Sequence, residues 1–133
     1  MSTYSILIVE DHKVYSRALL RLLSTNQELN ILAVVETAEQ ALEQIAGLKV
    51  DLVLADISLP KMSGIDLVEK LHGQYPDLPT AILSGYLTSD YVRRALDAGV
   101  RGYLVKDNPS GILEGIQRIL NGELYISAET EAI

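Results

Sequence analysis

The chain contains no cysteine, so neither a disulfide framework nor a thiolate metal site is available to it. It has no tryptophan or phenylalanine, and its aromatic content is seven tyrosines. Basic residues are also scarce: 11 Lys and Arg stand against 18 Asp and Glu, a net charge of −7. Nonspecific binding to nucleic acid is driven by Lys and Arg neutralising phosphates. With no basic stripe, this chain is a poor ligand for DNA by itself, and its acidity reads as a solvated surface. No uncharged apolar run approaches the roughly 18 residues of a membrane span. The opening MSTYSILIVED lacks the basic leader and long apolar stretch of a signal peptide. A soluble, cytoplasmic protein with no membrane partner is the expectation. Internal repeats and low-complexity linkers are missing as well.

What is present is 133 residues with 48% hydrophobic content, enough for one domain with a real core. Short apolar runs alternate with helical stripes. Ile6–Val9, Ile31–Val35, Leu52–Asp56, Ala81–Ser84 and Tyr103–Val105 read as five strands. Between them, apolar residues at helical spacing mark four helices, beginning with Tyr15, Leu19, Leu22 and Leu23. Ile112, Leu113, Ile116, Ile119 and Leu120 mark a fifth, which Asn108 and Pro109 open and Gly122 stops. Gly47 and Gly99 are candidate left-handed caps, and Ser89 a candidate N-cap. The helix from Ser89 to Ala98 has a thin stripe, Val92, Ala95 and Leu96. Gly115, inside the last helix, marks either a close packing contact or a tolerated glycine costing about 1 kcal/mol.

Strict alternation of strand and helix implies an α/β fold, a parallel sheet covered on both faces. Any ligand site then lies at the carboxyl ends of the strands. At those ends stand Glu10 and Asp11, Asp56, Ser84 and Lys106. Asp56 is the oddest of them, a carboxylate directly after the apolar run LVLA. At an effective dielectric near 20, two carboxylates about 4 Å apart repel by about 4 kcal/mol, so some protonate or a cation joins them. A hard ion that keeps several waters and needs few protein oxygens points to Mg²⁺. Taken singly, Asp11 reads equally well as an N-cap, and Ser84 and Lys106 as ordinary strand-end residues. His12 and His72 lack zinc-like spacing and are assigned to surface or packing.

The segments ILIVEDH, ADISLPKMSGIDL, AILSGY and GYLVKD together resemble the receiver domain of two-component response regulators, over essentially the whole chain. The KD pair, ILSGY and NGELYIS look like the NarL/FixJ subgroup, in which a receiver is joined to a LuxR-type helix-turn-helix domain. The resemblance implies a flavodoxin-like, doubly wound sheet of five strands, order 2-1-3-4-5, with five helices. It implies that Asp56 accepts the phosphoryl group from a sensor histidine kinase. Glu10, Asp11, Asp56 and the backbone carbonyl of Ser58 would hold Mg²⁺. Lys106 and Ser84 would contact the phosphoryl oxygens, and Tyr103 would swing inward on activation. Residues 1–126 would form the receiver and 127–133 the start of a linker. DNA would be reached only through a helix-turn-helix domain that this sequence lacks, and copies would pair through the first and last helices.

The family often follows its lysine with a cis proline. Here Asp107 follows Lys106, and a non-proline cis bond costs about 3 kcal/mol, so trans is favoured. Ser58 and Tyr86 fall where the family flanks the path of hydrolytic water, and a bulky Tyr86 would prolong the phosphate. Two other classes fit poorly. An aspartyl phosphohydrolase of the haloacid-dehalogenase type needs D-x-D, and Asp56-Ile57-Ser58 lacks the second acid. A flavodoxin would place FMN phosphate against Glu10 and Asp11. The expected protein is a signalling switch, no enzyme beyond its own phosphotransfer and dephosphorylation. It is expected to control transcription or, as a stand-alone regulator, to act through protein contacts.

Overall fold

A computed structural model describes residues 3–85 and 88–127. Five strands and five helices alternate: β1 (Tyr4–Val9), α1 (Lys13–Leu23), β2 (Leu29–Val35), α2 (Ala38–Ile45), β3 (Leu52–Asp56), α3 (Gly64–Gln74), β4 (Thr80–Ser84), α4 (Ser89–Ala98), β5 (Gly102–Val105) and α5 (Pro109–Leu120). A two-residue strand, β6 (Tyr125–Ile126), follows. All strand pairs are parallel, in the order β2-β1-β3-β4-β5-β6. The expected five-strand order therefore stands, extended by one short strand that the sequence reading did not include.

Alternation along the strands sorts side chains between two cores. Leu7, Val9, Val53, Ala55, Ile82 and Tyr103 face α2, α3 and α4. Ile6, Ile8, Leu52, Leu54, Ala81, Leu83 and Leu104 face α1 and α5. Both faces are thus covered, as a parallel sheet requires. The thin stripe of α4 buries only Ala95 and Ala98, and Leu96 remains exposed.

Local punctuation departs from expectation at three points. The N-cap of α4 is Thr88, whose side chain accepts from the Tyr91 amide; Ser89 is the first helical residue. The N-cap of α1 is His12, without a side-chain cap bond, which leaves the Asp11 carboxylate uncommitted to the helix. Gly47 is not a left-handed cap: α2 closes on Ala46 in right-handed geometry, whereas Gly99 closes α4 at φ 104°. Asn108 caps α5 from ahead of Pro109, as expected, through its side chain and the Gly111 amide. The peptide bond between Lys106 and Asp107 is trans. Gly115 is a packing glycine: a Cβ there would lie 2.5 Å from Leu104 and 2.7 Å from the ring of Tyr125. Tyr86 lies outside the described residues, as does the tail from residue 128.

Candidate functional site

The strand ends assemble as the alternation dictates. Glu10 and Lys106 follow directly on β1 and β5, and Asp56 ends β3. Stepping by two from Ile8, Leu54 and Leu104, all three fall on the sheet face that carries α1 and α5. There the Lys106 ammonium bridges two buried acids, 2.7 Å from Glu10 Oε1 and 3.0 Å from Asp56 Oδ2. The Ser58 amide donates to Asp56 Oδ1 at 3.1 Å. Asp56 itself is 2% exposed.

Lys106 is held from a third side by a residue assigned from the sequence to the helical stripe alone. Its ammonium lies 4.5 Å from the centroid of the Tyr15 ring, a cation–π contact. The Tyr15 hydroxyl donates to the Lys106 carbonyl at 3.4 Å. Burial, then the charges of Glu10 and Asp56, push the Tyr15 phenol up from its usual range, so it stays a neutral donor. A single tyrosine at a core spacing carries no sequence signal for this role.

Ser84 and Tyr103 fall on the opposite face, both fully buried. They are hydrogen-bonded to one another through their side chains. Tyr103 is already packed inside the α2–α3–α4 core in this structure.

The titrating groups divide in a consistent way. Burial raises the Asp56 carboxyl above its ordinary range; Lys106 and the Ser58 amide pull it down, and neighbouring Glu10 pushes it up again. For Glu10, burial also acts upward, but Lys106 and the His12 amide outweigh it and hold the group low. Lys106 loses by burial and gains more from the two carboxylates, so it stays protonated. Glu10 is thus the better-supported anion of the pair, and its surroundings support a charge on Asp56 only in part. A raised carboxyl favours the fold while protonated, and that contribution is lost as pH rises through its folded value. Asp56→Asn is therefore expected to stabilise the metal-free protein at pH 7 and to raise its melting temperature. Thermal denaturation in EDTA measures this, and a lower melting temperature would contradict it.

A donor set for a cation surrounds Asp56. Atoms of Glu10, Asp11, His12 and Asp56 lie within 4.8 Å of one another. Asp11 Oδ1 is buried and accepts no hydrogen bond among the described residues, with His12 Nδ1 3.4 Å away. Lys106 offers one positive charge to three carboxylates, so a divalent cation fits both the charge and the idle oxygen. Of the expected residues, Glu10, Asp11, Asp56 and Lys106 come together here. Ser58 contributes its amide to Asp56, and Ser84 stands on β4 beside β3. His12, assigned to surface or packing, also belongs to this cluster, 3.3 Å from Glu10 Oε2 and 3.8 Å from Asp56 Oδ2.

No described helix is long and apolar enough to cross a membrane. Residues 6–128 match the response regulator receiver domain family. The chain is 36% identical over 124 residues to the transcriptional activator protein ExaE of Pseudomonas putida, covering 91% of this chain and 57% of that protein. It is 30% identical over 122 residues to the transcriptional regulatory protein DegU of Brevibacillus brevis, covering 91% and 52%. The chain thus spans little more than half the length of these relatives. Among solved structures, a LuxR-family two-component response regulator from Aurantimonas sp. SI85-9A1 shares the fold with a TM-score of 0.94 at 24% identity, over 98% of this chain and 94% of that one. A CheY-like receiver domain protein from Methanospirillum hungatei JF-1 superposes with a TM-score of 0.81 at 30% identity, over 91% and 96%. With the family match covering nearly the whole chain, the protein belongs to the response regulator receiver domains of two-component systems.

Proposed function

We propose that this receiver is a switch charged at Asp56 by the phosphohistidine of a sensor kinase. The observation that carries the reading is a buried carboxylate at the ligand edge of the sheet, held between Lys106 Nζ at 3.0 Å and the Ser58 amide at 3.1 Å. An Asp56 oxygen forms a bond to phosphorus as the P–N bond of the phosphoimidazole breaks, and the departing imidazole keeps the electron pair and takes up a proton. Phosphoryl transfer depends on positioning and charge neutralisation. The Ser58 amide and Lys106 supply the first, and the Lys106 ammonium part of the second.

Glu10, Asp11, Asp56 and the Ser58 carbonyl would hold Mg²⁺, which when bound supplies further positive charge to the transferring oxygens. Water hydrolyses the resulting mixed anhydride, so the signal decays; the protein catalyses nothing beyond this cycle. Ser84 is the neighbouring hydroxyl for the phosphoryl oxygens. In turning to them it gives up its bond to Tyr103, which frees a fully buried ring to change its packing. That exchange couples charge at Asp56 to the surface of α4 and β5.

The output is transcriptional, through a DNA-binding domain joined to the receiver, as the names of its relatives support. The receiver itself, at −7, meets proteins: the kinase and a second copy. The groove between α1 and α5, lined by Tyr15, Ala18, Leu22, Pro109 and Ile112, supports pairing there. Incubation with acetyl phosphate and Mg²⁺, followed by intact-mass measurement and sedimentation, tests the reading. A single phosphoryl adduct, lost in Asp56→Asn, is expected, with a shift toward dimer. Repeated turnover of an organic phosphate would refute the switch.

A further inference from the structure

We propose that His12 is a nitrogen ligand of the divalent cation at this site, giving it a preference for Mn²⁺ over Mg²⁺ that oxygen donors alone would not. The proposal rests on reading the acid cluster as a cation site.

The local chain prepares the imidazole for this. His12 is the N-cap of α1, yet its side chain makes no cap bond, so the helix does not use it. Its amide donates to Glu10 Oε2 at 3.1 Å, which ties the residue to the cluster. The ring is turned so that Nδ1 sits 3.3 Å from Glu10 Oε2, 3.4 Å from Asp11 Oδ1 and 3.8 Å from Asp56 Oδ2. Neighbouring ligands around an octahedral ion with bonds of about 2.1 Å stand about 3.0 Å apart. The observed spacings exceed that by under 1 Å, and all four donors fall within 4.8 Å of one another. Without a cation, Nδ1 is the hydrogen-bond donor to the Glu10 carboxylate; cation binding replaces that proton, leaving the imidazole neutral with its proton on Nε2 and a lone pair at Nδ1.

The chemistry of that fourth donor differs from the rest. Mg²⁺ is a hard ion that takes oxygen ligands and keeps its waters. Imidazole suits the later first-row transition ions best; Mn²⁺ stands at the weak end of that series but accepts a nitrogen ligand more readily than Mg²⁺. Three carboxylates with one imidazole therefore tilt selectivity toward Mn²⁺ and its neighbours in that series. With two-thirds of its side chain exposed, His12 can be replaced without disturbing a core. The chain has only one other histidine. His72 lies in the last turn of α3 against Gly99, at the opposite end of the sheet. A nitrogen signal from a bound ion therefore has one source.

Calorimetric titration of the full chain and of His12→Ala with MnCl₂ and with MgCl₂ tests the assignment. Electron spin-echo spectra of the Mn²⁺-loaded proteins supply a second readout. The wild type is expected to bind Mn²⁺ at least about tenfold more tightly than Mg²⁺. His12→Ala is expected to lose about tenfold in Mn²⁺ affinity and under about twofold in Mg²⁺ affinity. The ¹⁴N modulation should vanish in His12→Ala and persist in His72→Ala. Unchanged Mn²⁺ affinity in His12→Ala, or modulation that survives there, overturns the role of His12 while leaving the cation site intact. A wild type that binds neither ion overturns the cation site itself.

Discussion

Gly64→Ala is expected to lower the unfolding free energy by about 3 kcal/mol or more, the larger end for an overpacking change. Gly64 opens α3, and its amide donates to the Ile57 carbonyl at 3.1 Å. A Cβ there would lie 2.1 Å from the Asp56 carbonyl oxygen and 2.8 Å from its carbon. The obstructing atoms are backbone, so no rotamer change relieves the clash. Either α3 moves away from the sheet or the main chain of Asp56 is displaced. The same displacement moves the carboxylate relative to Lys106, so phosphoryl incorporation should fall together with stability. Gly73, in the same helix, is the control. Nothing lies within 4 Å of its added Cβ, and Gly73→Ala should gain up to about 1 kcal/mol from helix propensity. Urea denaturation of the two variants measures the contrast. Equal midpoints would show that the α3 junction yields more easily than its contacts imply.

Lys106→Met is expected to cost about 2–3 kcal/mol at pH 7 in EDTA, somewhat below the usual range for breaking a buried ion pair. The reduction reflects a lysine side chain that is 18% exposed. Methionine keeps most of the volume, so the loss is electrostatic. Glu10 and Asp56 are left buried and facing each other without their shared ammonium. The sign of the pH dependence identifies the cause. Lys106 is held protonated, above its ordinary value. Its contribution is present throughout the range below that ordinary value and is lost only as pH rises through the folded one. In the variant, one carboxyl takes up a proton as pH falls below 7, so stability should rise over an interval where the wild type changes less. Added Mg²⁺ should restore more stability to the variant than to the wild type, because ligand binding to the folded state adds RT ln(1 + [L]/Kd). Thermal melts across pH, with and without Mg²⁺, measure both effects. A pH-independent deficit would assign the loss to packing against Tyr15.

The strands were readable because a parallel sheet buries both faces and writes each strand as an apolar run. Leu52–Asp56 matches residue for residue. The site was readable for a related reason: the polar residues that break those runs all stand at one edge. Glu10, Asp56 and Lys106 meet because of alternation, which fixes their common face. Where the sequence misled, the deciding fact was conformational or long-range. Gly47 and Gly99 both follow helices, yet only Gly99 takes a positive φ. Thr88 and Ser89 are adjacent hydroxyl residues that can both cap, and the chain uses Thr88 although serine is the stronger cap. His12 carries no periodic signal, and only the turn before α1 swings its ring toward the acids. β6 spans two residues, too few for any pattern to announce a strand.

That short strand also governs what can be added to the sheet. Tyr125 N donates to the Arg101 carbonyl at 2.9 Å, Ser127 N to the Tyr103 carbonyl at 3.0 Å, and Ser127 Oγ accepts from the Val105 amide at 3.3 Å. The outer backbone groups of β5 are thereby occupied along the strand that carries Tyr103. A peptide cannot dock by extending the sheet from β5, and two copies cannot fuse their sheets there. Any protein that responds to Tyr103 must read side chains and helix surfaces, while among the described strands β2, seven residues long, is the longer of the two sheet edges and the two-residue β6 the shorter.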